Sequence, residues 1–246
     1  MRKRRCGLKF FWIMCLVTIV GCGVGESEDS QIKVVGGEAI SEPGQFGLLA
    51  LRVSLEERAG ICSGSLISQT LVITAAHCLH TPSGSVAYAV FGPDALEPES
   101  SQIRKVTAHY RSGSADIAIL EIDRPAPSGY LPIPIADGLT APGALLAGYG
   151  RTVANAPKST GKAFSLRASI PFFETVAPFF YVQSSQGGMC FGDSGGPALV
   201  RNEGQWAILG VLSSGSPNCS GFDQYTSVYK VRDWVRTKIL ETEAYL

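Results

Sequence analysis

From residue 34 onward, short runs of aliphatic and β-branched residues alternate with glycine- and proline-rich breaks. Breaks such as "TPSGS", "GPDALEPES" and "APG" are typical of turns. Several short strands separated by such turns predict an antiparallel barrel or sandwich. The runs that we interpret as strands include "FGLLALRVS", "LVITA", "VAYAVF", "IAILEI", "ALLAGYG" and "AILGVLSS".

The end of the chain has a helical period instead. In "VYKVRDWVRTKIL", apolar residues with charges between them recur at Val231, Trp234, Val235 and Ile239. This spacing places them on one face of an α-helix. We therefore predict one C-terminal helix that packs by this face.

Composition and charge narrow the class of protein. The chain has 246 residues, 28 of them glycine, and only 17% are charged, which favours an all-β fold. Its 21 basic and 21 acidic residues cancel, so nothing points to nucleic acid as a partner. The sequence has no zinc or nucleotide motif, and we expect no cofactor and no metal. Glu97 and Glu99 lie in a proline-rich loop and are interpreted as solvated rather than as calcium ligands.

The beginning of the chain is typical of an export segment. A basic start, "MRKRRCGLK", precedes the apolar run "FFWIMCLVTIV", which is too short for a membrane span but suits a signal peptide over residues 1–21. The run ends in "IVGC", which resembles the lipobox of bacterial lipoprotein signal peptides. That resemblance implies a lipid on Cys22, and an ordinary secretory signal is the alternative. Residues 22–33 are small, acidic and polar, and we interpret them as a flexible tether.

Cysteine counting supports lipidation. Of seven cysteines, Cys6 and Cys15 leave with the signal peptide, and Cys22 would carry the lipid. An even set of four then remains for two disulfides in an exported domain: Cys62, Cys78, Cys190 and Cys219. Without the lipid, one thiol is left over.

Ser194, in "GMCFGDSGGPALV", is the candidate nucleophile. A serine hydroxyl needs a base within hydrogen-bond reach and a group that orients the base. The glycine pattern around Ser194 also fits the α/β-hydrolase nucleophile elbow, but that fold needs a histidine after the serine. All three histidines precede it, which leaves the order histidine, aspartate, serine.

The base and the acid then have natural candidates. His77 follows an apolar strand in "LVITAAHCLH", and Asp116 opens the apolar run "DIAILEI". An acid at the edge of an apolar core is unexpected unless its charge is needed there. His80 and His109 have no motif around them and are interpreted as surface or structural residues.

Three motifs in this order, "TAAHC", "DIAIL" and "GDSGGP", resemble the chymotrypsin/trypsin-like serine proteases over residues 34–235. The resemblance implies two antiparallel β-barrels packed together with a C-terminal α-helix, as one domain over residues 34–246. It also implies that His77 is the general base, Asp116 orients it, and Ser194 is the nucleophile. The backbone amides of Gly192 and Ser194 would form the oxyanion hole.

The resemblance also implies two disulfides. Cys62 with Cys78 would clamp the strand that carries the base. Cys190 with Cys219 would tie the nucleophile loop to a wall of the substrate pocket. Each closes a loop of moderate length and should stabilise the fold by about 3 kcal/mol.

The stretch "QIKVVGG" resembles the family's activation site. Cleavage after Lys33 would free the amino group of Val34, which would pair with Asp193. A buried carboxylate without a partner is costly, so this pair can act as a switch. The alternative is that "VVGG" is merely a strand and a turn. Because the tether after Cys22 has no cysteine, cleavage would also release the domain from its lipid.

Two interpretations of the substrate pocket compete. By the resemblance, Gly188 is the pocket base and Met189 its neighbour, whereas the wall from Ser213 to Gly215 lacks the family's tryptophan. Asp223 falls near the pocket floor, where it would pair with lysine or arginine if it were reachable. If Met189 covers it, the pocket is apolar and elastase-like, and the flexible methionine favours this second interpretation.

These features predict a serine endopeptidase that works through an acyl-enzyme and is made as a zymogen. Its expected partners are protein or peptide substrates, an activating protease and, before activation, a membrane. We expect an exported lipoprotein, periplasmic or on the cell surface, that is released on activation. The alternatives are a catalytically inactive homologue that serves as a binding module, and an esterase on the same barrels.

Overall fold

A computed structural model describes residues 36–56, 60–138, 141–172 and 178–243. The predicted signal peptide and tether therefore lie outside the described residues, as do Cys22, Lys33 and Val34. Within these described ranges, no helix is long and apolar enough to cross a membrane.

The described part of the chain is mostly β-strand, with one α-helix, α1 (Arg232–Glu243). The strands, in chain order, are β1 (Glu38–Ala39), β2 (Leu48–Arg52), β3 (Ile61–Leu66), β4 (Leu71–Thr74), β5 (His80–Thr81), β6 (Gly84–Ser85), β7 (Tyr88–Val90), β8 (Ile103–Arg111), β9 (Ala118–Ile122), β10 (Gly143–Gly148), β11 (Phe164–Phe172), β12 (Phe179–Gln183), β13 (Pro197–Asn202), β14 (Gln205–Gly215) and β15 (Phe222–Ser227). Short 3₁₀ turns occur at Pro43–Phe46, Ala76–Leu79, Ser100–Gln102, Pro157–Ser159 and Tyr229–Val231.

The first barrel closes in the order β2-β3-β4-β9-β8-β7, with antiparallel pairing throughout. Successive side chains of a strand point to opposite faces. In β2, Leu49 and Leu51 accordingly belong to the core of this barrel. Leu48 and Ala50 belong to a second apolar cluster that includes Tyr149, just after β10. Both faces of β2 are thus covered, which explains its continuous apolar sequence.

The second barrel contains β10 to β15 in the order β11-β10-β13-β14-β15-β12 and closes through pairing of β11 with β12. β1 adds to its outside by pairing with β11. In its core, the rings of Phe180 and Tyr225 stack with centroids 5.7 Å apart. The predicted all-β fold of two packed barrels is therefore confirmed.

The predicted C-terminal helix is also present. Val235 is buried in the apolar cluster that contains Leu49 and Leu51, and Trp234 and Ile239 pack against the same cluster. Val231 belongs to this cluster as well, but it lies in the 3₁₀ turn that precedes α1. The apolar pattern that predicted the helix therefore begins just before α1, at Val231.

Candidate active site

His77 and Asp116 meet because their strands are neighbours. β4 runs antiparallel to β9, with Thr74 opposite Ala118. The 3₁₀ turn after β4 therefore lies beside the bend before β9, which brings the two side chains together. His77 Nδ1 lies 2.8 Å from Asp116 Oδ2. The backbone amide of His77 donates to the other carboxylate oxygen, Oδ1, at 2.9 Å.

A third donor reaches Asp116 from the second barrel. The hydroxyl of Ser213, in β14, donates to Asp116 Oδ2 at 2.7 Å. Burial by itself raises the pKa of Asp116, but hydrogen bonds from His77 and Ser213 outweigh burial and bring the pKa below its ordinary value. Asp116 is therefore ionised at neutral pH and can stabilise a positive charge on the His77 ring.

Ser194 lies close to the turn that carries His77, where a disulfide and the residue next to it contact its backbone. The amide of Ser63 donates to the carbonyl oxygen of Ser194 at 2.7 Å. The sulfur of Cys78, the residue after His77, lies 3.5 Å from the same oxygen. Cys78 is bonded to Cys62, the residue before Ser63, with their Cα atoms 6.2 Å apart. The disulfide thus joins the strand that contacts Ser194 to the turn that carries His77.

The turn around Ser194 needs glycine at two positions and contains two backbone amides without a partner among the described residues. Gly192 and Gly195 have φ angles of +104° and +82°, in the region that favours glycine. A Cβ at Gly195 would lie 2.1 Å from Thr74 Oγ1, so a larger residue would not fit. Among the described residues, neither the amide of Gly192 nor that of Ser194 has a hydrogen-bond partner.

The carboxylate of Asp193 is enclosed next to this turn. Asp193 is 0% exposed. Its oxygens accept hydrogen bonds from the amides of Gly150 at 2.7 Å and Cys190 at 2.8 Å. Burial raises the pKa of Asp193 to about 7, although these two amides oppose the shift. No lysine, arginine or histidine within the described ranges forms an ion pair with it.

The loop Gly148–Gly150 forms a close-fitting wall for this carboxylate. A Cβ at Gly148 would lie 2.1 Å from Asp193 Oδ1, and one at Gly150 would lie 2.4 Å from the Asp193 carboxyl carbon. Only glycine fits at either position. Cys190 is bonded to Cys219, with Cα atoms 5.0 Å apart, so both disulfides implied by the resemblance are present.

A cavity of about 210 Å³ opens beside Ser194. It is lined by Met189, Cys190, Phe191, Ser194, Leu212, Gly215, Ser216, Pro217 and Cys219. Of the five residues assigned to the substrate pocket from the sequence, Met189 and Gly215 therefore line this cavity. Gly188, Ser213 and Asp223 do not. Sequence reasoning missed Leu212, although it directly precedes the "SSG" wall.

Gly188 and Asp223 lie behind the cavity wall. A Cβ at Gly188 would lie 2.3 Å from the amide nitrogen of Gly221, so the two chains are in close contact there. Asp223 is 1% exposed, and its Oδ2 accepts the amide of Met189 at 3.0 Å. A Cβ at Gly215 would lie 2.6 Å from Asp223 Oδ1, an oxygen with no hydrogen-bond partner among the described residues. Burial raises the pKa of Asp223 to about 6, against the effect of the Met189 amide.

The remaining polar residues singled out from the sequence have local partners. His80 Nδ1 lies 2.9 Å from Ser85 Oγ, and its ring contacts that of His109 edge-on with centroids 6.0 Å apart. Glu99 caps the 3₁₀ turn Ser100–Gln102. Within the described part of the chain, no cluster of three or more His, Cys, Asp or Glu side chains could hold a metal ion.

Comparison with known proteins agrees with this architecture. The family described as Trypsin matches residues 34–235. Kallikrein-14 of Homo sapiens is 27% identical over 254 aligned residues, covering 92% of each chain. Serine protease SP24D of Anopheles gambiae is 28% identical over 228 residues, covering 83% of this chain and 80% of its own. The chain therefore belongs to the trypsin family and is a chymotrypsin/trypsin-like serine endopeptidase.

Proposed function

We propose that His77, Asp116 and Ser194 are the triad that hydrolyses peptide bonds in protein substrates. The observation that carries this proposal is the 2.8 Å contact between His77 Nδ1 and the ionised Asp116. It keeps the proton on Nδ1, so that Nε2 is the basic nitrogen.

The reaction then proceeds by acylation and hydrolysis. Ser194 Oγ forms a bond to the substrate carbonyl carbon as its proton moves to His77 Nε2, and the carbonyl π electrons move onto oxygen. The unpartnered amides of Gly192 and Ser194 are well suited to stabilise that oxyanion. The C–N bond breaks and Nε2 gives its proton to the leaving amine. Water repeats the same steps on the acyl-enzyme and releases Ser194.

For specificity, we propose a preference for small to medium aliphatic side chains before the cleaved bond. Met189 and Leu212 give the cavity of about 210 Å³ an apolar lining. Asp223 lies behind Met189 and Gly215, and it is not among the lining residues. A preference for lysine or arginine would require a substrate cation to reach the partnerless Asp223 Oδ1. It remains the second candidate.

Cleavage-site profiling tests both the reaction and the preference. The domain is prepared with Val34 at its N-terminus and mixed with a diverse peptide library, and products are read by mass spectrometry. Ser194→Ala is the control. Cuts after aliphatic residues are expected, whereas cuts after lysine or arginine would mean that Asp223 is reachable. If cleavage does not exceed the control, the chain is an inactive binding module, and if only esters are hydrolysed, it is an esterase.

Activation is proposed to follow cleavage after Lys33. The new ammonium of Val34 would pair with Asp193, a fully buried carboxylate that has only amide donors among the described residues. The position of Gly36, the first described residue, supports this. A Cβ there would lie 1.7 Å from the carbonyl oxygen of Gln186, so the segment just after Val34 packs against the loop that precedes the nucleophile turn.

Membrane anchoring and release are proposed from the sequence alone. Export by residues 1–21 would leave a lipid on Cys22, and residues 22–33 would tether the domain until an activating protease cuts after Lys33. Two disulfides are typical of proteins outside the reducing cytosol. In Triton X-114 partitioning, the uncleaved chain should enter the detergent phase and the Val34-starting chain the aqueous phase. Retention of the cleaved chain in detergent contradicts release.

A further inference from the structure

The side-chain hydroxyl of Ser63 connects two backbone segments of the second barrel. Ser63 lies in β3 of the first barrel and is 0% exposed. Its Oγ donates to the carbonyl oxygen of Gly192 at 3.0 Å and accepts the amide of Tyr149 at 2.9 Å. A serine hydroxyl has a single proton to donate. The amide that it accepts leaves that proton for Gly192, so the direction of this bond is defined.

We propose that Ser63 is a positioning residue for the oxyanion hole, holding Gly192 so that its amide faces the reacting carbonyl. The inference rests on the proposed function, in which the amides of Gly192 and Ser194 stabilise the oxyanion. Ser63 itself does not touch the substrate in this mechanism. It acts through Gly192 and, by its own amide, through the carbonyl of Ser194 at 2.7 Å.

Gly192 needs such a constraint because of its backbone. With a φ of +104° and no Cβ, it can rotate more freely than any other residue. The peptide between Gly192 and Asp193 is held at two points. Ser63 Oγ binds its oxygen, and the carbonyl of Cys190 accepts its amide at 3.0 Å. These two bonds hold the peptide that follows Gly192 and thereby fix the position of its Cα, which limits where its own amide can point.

The same hydroxyl holds the wall around Asp193. Tyr149 is buried, and Ser63 Oγ is the acceptor for its amide. The next amide along, that of Gly150, donates to Asp193 Oδ1 at 2.7 Å. Removing the hydroxyl leaves the Tyr149 amide buried without a partner and frees the Gly192 carbonyl at once. One side chain of the first barrel thus holds two segments at once: Gly192 in the nucleophile turn and Tyr149 in the loop that encloses Asp193.

The test compares Ser63→Ala with Ser65→Ala in the Val34-starting domain. Ser65 lies two residues further along β3 and is 1% exposed, but its hydroxyl has no partner among the described residues. It is therefore a matched control for loss of a buried hydroxyl. Each variant is measured for kcat/KM on a peptide amide and for binding of two inhibitors. A peptide aldehyde forms a tetrahedral adduct with Ser194 that carries an oxyanion, and the matching peptide alcohol does not.

We expect Ser63→Ala to lower kcat/KM by about 10- to 100-fold, mostly through kcat, because the donor is misplaced rather than removed. Aldehyde affinity should fall by a similar factor and alcohol affinity should stay unchanged. Ser65→Ala should match the wild type in all three. If Ser63→Ala weakens both inhibitors equally, or neither, Ser63 has no positioning role.

The experiment also allows for a variant that does not fold and for a wild-type domain that is inactive. If Ser63→Ala does not fold, Ser63→Gly lacks the same hydroxyl and the same pair of inhibitors decides, with thermal unfolding as the check on folding. If the wild-type domain cleaves no more than Ser194→Ala, the proposed function fails and this inference fails with it. An active wild type with an unaffected Ser63→Ala overturns only the inference.

Discussion

The carboxylate of Asp193 makes the stability of the uncleaved chain depend on pH. Its ordinary pKa is 3.8, and burial raises it to about 7 in the folded chain. Between these two values the folded chain keeps a proton that the unfolded chain has lost, so the free energy of unfolding falls as the pH rises. A difference of about 3 pKa units corresponds to roughly 4 kcal/mol, and full burial leaves little screening by solvent.

Urea unfolding can measure this loss. A chain that begins at residue 23 and carries Ser194→Ala stays uncleaved, and the fluorescence of Trp206 and Trp234 reports folding. Between pH 4 and pH 7 we expect its free energy of unfolding to fall by on the order of 4 kcal/mol more than that of the same chain with Asp193→Asn. The comparison is needed because Asp223, whose pKa is raised to about 6, contributes a loss of the same sign.

Cleavage after Lys33 should reverse the effect. The Val34 ammonium would favour the ionised form of Asp193 and lower its pKa, so the cleaved chain should keep its stability up to pH 7. Equal slopes of the free energy of unfolding against pH for the Asp193 and Asp193→Asn chains would mean that Asp193 does not bind a proton on folding. Equal slopes before and after cleavage would refute the proposed pair with Val34.

Substitutions at Asp116, Asp223 and the Cys62–Cys78 disulfide test the proposed site and the stability of the fold. Asp116→Asn should lower kcat by about 10⁴-fold, because an amide no longer holds the required His77 tautomer, and a smaller loss in steady-state assays contradicts the triad. Asp223→Asn should leave the cleavage preference for aliphatic residues unchanged, because Asp223 does not line the cavity; a changed library profile means that substrates reach it. Replacing both Cys62 and Cys78 by alanine should lower the free energy of unfolding by about 3 kcal/mol in urea, and an unchanged midpoint contradicts this.

Much of the candidate site could be predicted because its residues lie in short, contiguous motifs. The segments around His77, Asp116 and Ser194 each combine a strand end with one reactive side chain, and their order alone excludes an elbow-type hydrolase. The apolar runs predicted an antiparallel barrel or sandwich, because short strands between turns leave few other ways to bury them. The two barrels followed from the resemblance of the motifs to the family. The C-terminal period predicted α1 because Val235 and its neighbours share one helical face.

What the sequence left open depends on contacts between distant segments. Motif matching placed Asp223 near the pocket floor and left open whether a substrate could reach it. The packing of Gly215 and of the Met189 amide against Asp223 places it behind the cavity. The role of Ser63 is a similar case. It is separated from Gly192 by 129 positions, and no local pattern relates the two. Such contacts follow from how the barrels dock, which one sequence does not specify.

The side chains of the proposed active site are divided between the two barrels. His77 follows β4 and Asp116 precedes β9 in the first barrel, whereas Ser194 and Ser213 belong to the second. The hydrogen bond from Ser213 to Asp116 joins the two barrels. A shift of about 1 Å between the barrels would separate the proposed base from the proposed nucleophile while every strand stayed paired, and misplacement of that size can lower the rate by about 100-fold. The rate of turnover therefore depends on how the two barrels are aligned. On gentle heating, we expect activity to be lost before the β-structure, and simultaneous loss of both would contradict this expectation.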